Sequence, residues 1–240
     1  MIGSRVNAYG IYEEEELDLL TAWLVSKNYD PNKICVDIGA NIGNHSVYFS
    51  RFFKKVVAFE PNPRVYRLLS INSELSSNID CHMLALSDKN GQSLMSFESI
   101  NLGGASIKQH DSEGTVVETK KLDDIFFDHP IGLIKIDVEG HEEKVLRGAK
   151  NLIAQFKPLI LFEQHIEDFT DGKSPSIEFL RELGYSKFAI AEFSPKVSRS
   201  LIKNLLINFL RIFTFGANST LAIPASIKPD FYPFIIAIPE

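Results

Sequence analysis

Three short runs concentrate the side chains able to do chemistry. The first is Cys35-Val36-Asp37-Ile38-Gly39-Ala40-Asn41-Ile42-Gly43-Asn44-His45. An apolar run ends in an acid, a glycine turn follows, and a helix begins. Small residues at such a turn let backbone N–H groups approach a ligand at the helix N-terminus. The arrangement suits a nucleotide-like cofactor at the carboxyl end of a parallel strand, held by Asp37, Gly39, Asn41 and Gly43. A dinucleotide fingerprint needs three glycines as G-x-G-x-x-G, but Asn41 stands between Gly39 and Gly43, and no G-x-x-x-x-G-K-[ST] loop exists. Asp37 would repel a pyrophosphate and suits a ligand carrying an ammonium, as S-adenosylmethionine does.

The second run is Ala58-Phe59-Glu60-Pro61-Asn62. Glu60 follows the glycine turn by about 20 residues, the spacing at which a strand-end acid accepts hydrogen bonds from ribose hydroxyls. Further on, in Ala85-Leu86-Ser87-Asp88-Lys89-Asn90-Gly91, Asp88 can accept from an adenine amino group and Leu86 can pack on its ring. The same Asp-Lys-Asn-Gly is also ordinary turn chemistry.

The third run is Lys135-Ile136-Asp137-Val138-Glu139-Gly140-His141-Glu142. Strand alternation puts Lys135, Asp137 and Glu139 on one side. Asp137 and Glu139 fall at the carboxyl end, where ligands bind in parallel sheets, and His141 opens the next helix. Downstream, Phe162-Glu163-Gln164-His165 ends another strand, and the expected topology brings Glu163 and His165 beside Asp137.

The elements that must position these residues alternate between apolar runs and amphipathic stretches. Strands are expected at 34–37, 55–59, 79–86, 132–138, 158–163 and 186–191. Helices are expected at 13–26, 44–52, 63–75, after Gly140, and at 175–183. Proline at the first turn suits the helices starting at Pro63 and Pro175. This β-α-β-α rhythm predicts an open, mostly parallel sheet with helices on both faces. A last strand is expected at Ser219–Ile223. The tail Lys228–Glu240, with three prolines around Phe-Ile-Ile, receives no assignment.

Two stretches break the rhythm. Residues 98–114, rich in Gly, Ser and Asn, lie between strand-like runs at 93–97 and 115–119; an irregular loop of that length is often functional. Residues 194–216 carry Lys196, Arg199, Lys203 and Arg211 without an acid, and show helical periodicity with a wide apolar face. Such a helix packs on its own domain or a partner, covers an acceptor site, or lies on a membrane surface.

At 240 residues, with 45% hydrophobic and 23% charged residues, the chain is long enough for one sizeable core. It is read as one domain over 1–240: a helical segment to residue 30, a cofactor-binding core at 31–192, an amphipathic insert at 193–217, and a last strand and tail. A net charge of −6 disfavours non-specific nucleic-acid binding. Cys35 and Cys81 are too few for a disulfide framework and read as buried reduced thiols. Neither a secretory signal nor an apolar run of about 20 residues is present, so the expected compartment is the cytoplasm, with peripheral membrane contact through 194–216.

The block Val36–His45, the Phe59-Glu60-Pro61 strand end, and Ile136-Asp137-Val138-Glu139-Gly140-His141-Glu142 followed by Val145-Leu146-Arg147-Gly148-Ala149 resemble the FkbM family of methyltransferases. Gly103-Gly104-Ala105-Ser106 and Phe162-Glu163 fit the same pattern, and the match runs from about Ile34 to Leu183. The resemblance implies a class I, Rossmann-like α/β fold with seven strands, and S-adenosylmethionine as cofactor. It implies methylation of oxygen, commonly a hydroxyl of a sugar, glycan or polyketide-like acceptor. By position, Asp37, Gly39 and Gly43 would hold the amino acid end of the cofactor, Glu60 its ribose and Asp88 its adenine, with Asp137 facing the reacting end.

An alcohol is a weak nucleophile, so a base must take its proton as the new bond forms. His141 is the first candidate, because imidazole titrates near neutrality. Glu139, Glu163 and His165 are rivals, and His141 has a second reading as a cap of the strand–helix junction. A divalent ion held among Asp137, Glu139, His141, Glu163 and His165 would be another way to activate the hydroxyl. No compact ligand motif appears, and the expectation is no metal. The competing functional classes are a nicotinamide-dependent oxidoreductase, opposed by the missing third glycine and by Asp37, and a non-catalytic cofactor-binding protein.

Overall fold

The structure is a computed structural model that describes residues 14–26, 29–97, 105–106, 114–193 and 219–240. Helix α1 (Glu14–Ser26) precedes β1 (Ile34–Ile38), α2 (Asn44–Phe49), β2 (Lys55–Phe59), α3 (Pro63–Ser73) and β3 (Ile79–His82). The short strands β4 (Ala85–Leu86), β5 (Gly91–Phe97), β6 (Ala105–Ser106) and β7 (Thr115–Lys120) come next. Then follow β8 (Ile131–Ile136), α4 (Glu142–Gly148), α5 (Lys150–Phe156), β9 (Leu159–Gln164), α6 (Pro175–Glu182), β10 (Tyr185–Phe193), β11 (Ser219–Ala222) and β12 (Tyr232–Pro239).

The main sheet has the order β11-β10-β12-β9-β8-β1-β2-β3. Strands β3, β2, β1, β8 and β9 pair in parallel, while β12 runs antiparallel to both β9 and β10. This corrects the expected count of seven. The run at 219–223 forms β11, an antiparallel edge strand on β10, and makes an eighth. The reversed strand between β9 and β10 comes instead from the unassigned tail. Ile235, Ile236 and Ala237 are fully buried there. Pro233 falls at the irregular step of the pairing between Tyr232 and Ile235, which accommodates its missing N–H.

The third expected strand, 79–86, also divides. Leu84 N donates to His82 O and turns the chain, so Ala85–Leu86 leaves the main sheet and pairs with β7. A second sheet results, ordered β4-β7-β5-β6. Of the glycine-rich loop 98–114 only Ala105–Ser106 and Gly114 are described; Gly103, Gly104 and the amphipathic segment 194–216 lie outside the described residues.

Alternation along the strands splits the core in two. Ile34, Val36, Ile38, Ile134 and Phe162 pack with Val145, Ile153, Ile177 and Leu180 of α4, α5 and α6. Cys35, Leu133, Leu161 and Ile236 pack with Leu17, Leu20 and Leu24 of α1 and Phe49 of α2. Helices thus cover both faces, and the carboxyl edge of the parallel strands stays available for a site. Local signals set the helix starts: the Asn62 side chain accepts from Arg64 N before Pro63, and Ser174 Oγ accepts from Ile177 N before Pro175. Among the described residues no helix is long and apolar enough to cross a membrane. Cys35 is buried, Cys81 is half-buried, and both are free thiols.

Candidate active site

The first loop is built by backbone approach. Gly39 has φ 72°, and a Cβ there would lie 1.8 Å from the Asp137 carbonyl oxygen. Only glycine lets the end of β1 sit this close to the end of β8. Asn41 (φ 52°) and Gly43 (φ 89°) are also left-handed, and Gly43 is the cap residue of α2. The turn is fastened to β2 by the Gly39 and Ala40 N–H groups, both donating to Phe59 O.

Asp37 is completely buried beneath this turn. Its Oδ2 accepts from Ser46 Oγ at 2.6 Å, and Lys135 Nζ lies 3.2 Å from its Oδ1. The same ammonium donates to Gly39 O at 2.9 Å and stands 3.4 Å from Asp137 Oδ2. Burial works against the Lys135 charge, but Asp37 and Asp137 outweigh it and hold the ammonium's pKa above its usual value. Asp37, expected from the sequence to meet a ligand ammonium, is therefore engaged inside the protein, where it braces the loop.

Glu60 is also buried, at the end of β2. Its Oε2 accepts from Asn41 N at 3.0 Å and its Oε1 from Asn62 N at 2.8 Å, so it links the glycine turn to the start of α3. Burial pushes its pKa up, and the two amide bonds pull the other way. Leu86 is buried on β4. Beyond it, Ser87 Oγ lies 3.2 Å from Asp88 Oδ1 and 2.9 Å from His141 Nε2. His141 thus stands with Ser87 at the Asp88 end of the site, among a different set of partners from Asp137. Burial first, then Lys144, lowers its pKa to about 4, with Asp88 opposing.

The acids gather at the ends of β8 and β9. Glu139 (φ 55°) and Gly140 (φ 85°) form a tight turn, and Glu142 Oε1 accepts from Val138 N and Gly140 N, both at 3.2 Å. Asp137 and Glu163 share a side-chain hydrogen bond. Burial opposes ionisation of Asp137, but Lys135 and then His45 hold its pKa below the usual carboxylate value. Glu163 is pushed up to about 9 by burial, by Asp137 and by Glu139 and Glu142. Burial and Asp137 likewise raise Glu139. The two carboxyls interact directly, so Asp137 is the member that ionises first and Glu163 the member that keeps its proton to higher pH.

His165 caps the short turn at Ile166–Asp168: its ring accepts from Asp168 N, while the Asp168 carboxylate accepts from His165 N at 2.7 Å. Its Nε2 faces Glu163 Oε2 at 3.3 Å and Glu139 Oε2 at 3.9 Å. Ligating atoms of Glu139, Glu163 and His165 lie within 4.8 Å of one another, a grouping of metal-binding types. Among the described residues, His165 Nε2 makes no hydrogen bond.

Asp137 and Glu163 open into a cleft with Lys135 and His45, walled by Leu17 and Leu20 of α1 and by Pro233 and Phe234 of β12. Of the sequence candidates, the structure brings Asp37, Gly39, Asn41, Gly43 and Glu60 into one loop network. It brings Asp137, Glu139 and Glu163 into one acidic cluster and sets His141 apart with Ser87. Sequence reasoning gave no role to Lys135 or His45. A lysine inside the apolar run Ile131–Ile136 was the available signal for the first. His45 carried none, because its approach to Asp137 depends on how α2 leaves the loop.

The strand order, the glycine loop after β1 and the acid closing β2 define a class I, Rossmann-like methyltransferase fold. The model of the methyltransferase FkbM domain matches residues 37–187, more than half of the chain, and the protein belongs to that family. Its cofactor is S-adenosylmethionine. The hexuronic acid methyltransferase AglP of Haloferax volcanii is 29% identical over 147 residues, covering 59% of this chain and 60% of AglP. Methyltransferase sdnD of Sordaria araneosa is 31% identical over 184 residues, covering 60% of this chain and 70% of sdnD. The chain thus matches about three-fifths of AglP's length. A solved FkbM methyltransferase from Methylobacillus flagellatus KT has a TM-score of 0.42 at 21% identity, over 55% of this chain and 33% of the other.

Proposed function

We propose that this protein methylates a hydroxyl oxygen, on a sugar, glycan or polyketide-like acceptor. The observation that carries this reading is the Asp137–Glu163 pair at the carboxyl edge, bordering a cleft with apolar walls. A hydroxyl needs a partner to take its proton. The pair provides an ionised oxygen beside a neutral one, and the raised pKa of Glu163 makes it a stronger base than an ordinary carboxylate once ionised. His165 Nε2 lies 3.3 Å from Glu163 Oε2.

The residues around the glycine loop fit the cofactor. Left-handed backbone at Gly39, Asn41 and Gly43 turns the chain tightly at the carboxyl end of β1, where the cofactor's amino acid end would lie, Glu60 stands at the end of β2 on the ribose side, and Leu86 and Asp88 border the adenine side. The bound cofactor supplies a methyl group on a sulfonium. What the chain contributes is placement of the acceptor oxygen in line with that group and removal of its proton.

The test is product analysis with hydroxylated acceptors, including methyl glycosides and, given AglP, hexuronic acids. S-adenosylhomocysteine formation together with a methyl ether on the product is the expected result. Glu163→Gln should lower kcat by about 10²-fold or more while leaving S-adenosylhomocysteine binding unchanged. Methylation at nitrogen or carbon, or full activity in Glu163→Gln, would overturn the reading.

A further inference from the structure

Gln164, the last residue of β9, carries a buried amide and is 1% exposed. Strand alternation turns it to the face of Ile160 and Phe162, which packs on α6, and turns Glu163 to the other face, where the cleft opens. Both ends of the amide are used. Oε1 accepts from Ser174 Oγ, and Ser174, itself buried, caps α6 by accepting from Ile177 N at 3.3 Å. Nε2 donates to Asp168 Oδ2 at 2.7 Å, and the same oxygen accepts from His165 N at 2.7 Å. Asp168 Oδ1 lies against the turn that closes β8, 3.5 Å from where a Cβ on Gly140 would stand. One carboxylate therefore grips the last side chain of β9 and the main chain just after it, and touches the exit of β8.

We infer that Asp168 is a positioning residue for methyl transfer: through Gln164 and His165 it fixes the end of β9 so that the Glu163 carboxyl stays against Asp137. This rests on the hydroxyl-methylation reading, in which Glu163 takes the proton, and adds a residue to it. The parallel pairing of β8 with β9 ends at Ile136 and Phe162, so Asp137 and Glu163 stand one step beyond its last rung. On the other side, the pairing of β9 with β12 steps irregularly from Phe162 to Gln164. Glu163 thus sits where the sheet's own ladder holds it least, and the clamp on the next two residues takes over. Placement matters because a proton acceptor must lie within hydrogen-bond reach of the reacting hydroxyl, and a displacement of about 1 Å can cost about 10²-fold in rate. Both donors converge on Asp168 Oδ2, so an asparagine keeps them with its one amide oxygen, whereas an alanine releases both.

The experiment is NMR of the glutamate carboxyl carbons in the full chain, with the Glu163 signal identified by its loss in Glu163→Gln, alongside steady-state kinetics on an acceptor found by product analysis. Glu163 is faced by Asp137, Glu139 and Glu142 from β8, its exit and α4, by His165 after its own strand, and by Lys135 and His45 across the cleft. In wild type its carboxyl, pushed up to about 9, should titrate well above an ordinary glutamate. Asp168→Ala should lower that midpoint by about 1–3 units as the group leaves Asp137. It should also lower kcat by about 10–100-fold with the KM for S-adenosylmethionine unchanged. Asp168→Asn should hold the midpoint near the wild-type value and restore most of kcat. Gln164→Met cuts the clamp at its other end and should act in the same direction as Asp168→Ala; S-adenosylhomocysteine binding shows that each variant is folded. An unmoved Glu163 midpoint in the folded variants overturns the positioning role, as does an Asp168→Asn that loses as much kcat as Asp168→Ala. Absence of a methyl ether product in wild type would instead strike the hydroxyl-methylation reading, while the carboxyl titration still reads the clamp.

Discussion

Lys135 Nζ lies 3.2 Å from Asp37 Oδ1 in a region closed to water, one side chain fully buried and the other nearly so. The pair joins neighbouring parallel strands, since Asp37 and Lys135 are register partners in β1 and β8. The ammonium also holds the Gly39 carbonyl and stands beside Asp137. One buried cation thus connects the floor of the cofactor loop to the acid of the reacting end.

Removing that cation should be costly. Lys135→Met leaves Asp37 buried with only Ser46 as a partner, and breaking a buried pair in this way destabilises by about 3–5 kcal/mol. Adding Asp37→Asn to Lys135→Met should recover part of the loss. Urea denaturation of the two single variants and the double variant measures this, and a loss under about 1 kcal/mol for Lys135→Met would contradict it.

Glu142 gives a pH signature. It is nearly fully buried, and burial pushes its pKa from 4.5 to about 7, against the pull of its backbone amide donors. Between those values the folded chain holds a proton that the unfolded chain has released. Stability contributed by this group therefore falls as pH rises from about 4.5 to 7, by an amount of order 3 kcal/mol. Glu142→Gln keeps an acceptor for Val138 N and Gly140 N without titrating. Its stability relative to wild type should rise across that window in denaturation series at several pH values. A difference that does not vary with pH would refute the assignment.

The two loop glycines should differ. A Cβ at Gly39 would meet the Asp137 carbonyl at 1.8 Å, which is backbone with no room to retreat, whereas a Cβ at Gly43 would meet Leu69 Cδ1 at 2.8 Å, a side chain that can turn. Both positions also have positive φ. Gly39→Ala is expected to lose S-adenosylhomocysteine binding and to lower Tm sharply. Gly43→Ala should show a smaller drop, of about 1–2 kcal/mol. Thermal unfolding and calorimetric titration of the pair test the ranking.

The Asp137–Glu163 pair predicts a shape for the pH–rate profile. With Glu163 pushed up to about 9, activity should rise through the alkaline range as the second proton leaves the pair. Asp137→Asn removes the neighbouring negative charge and should move that rise to lower pH, although the rate itself falls. His141, already neutral because its pKa is lowered to about 4, should not set this limb; His141→Ala should raise the KM for S-adenosylmethionine instead. Steady-state rates from pH 6 to 10 separate these outcomes, and an unmoved limb in Asp137→Asn would rule out coupling of the two carboxyls.

Much of this protein was written in local patterns. Apolar runs of strand length, the proline and Asn or Ser caps at Pro63 and Pro175, and the two glycines after β1 act over a few residues, so periodicity and turn chemistry suffice to read them. The acids at strand ends were legible for the same reason: in a parallel sheet, a strand's last residues necessarily face the ligand edge. What tertiary structure alone decided depends on pairs distant in sequence. The tail became the reversed strand β12 because its buried run fits between β9 and β10, a choice made by neighbours rather than by its own proline-spaced sequence. Lys135 became the partner of Asp37, 98 positions away, only through the β1–β8 register. His141 and His165 are similar side chains at similar strand exits, yet packing against Ser87 took one away from the acids and the cap by Asp168 turned the other towards them. Residue type and spacing determine which groups reach the carboxyl edge, and side-chain partners from other elements determine which of them meet there.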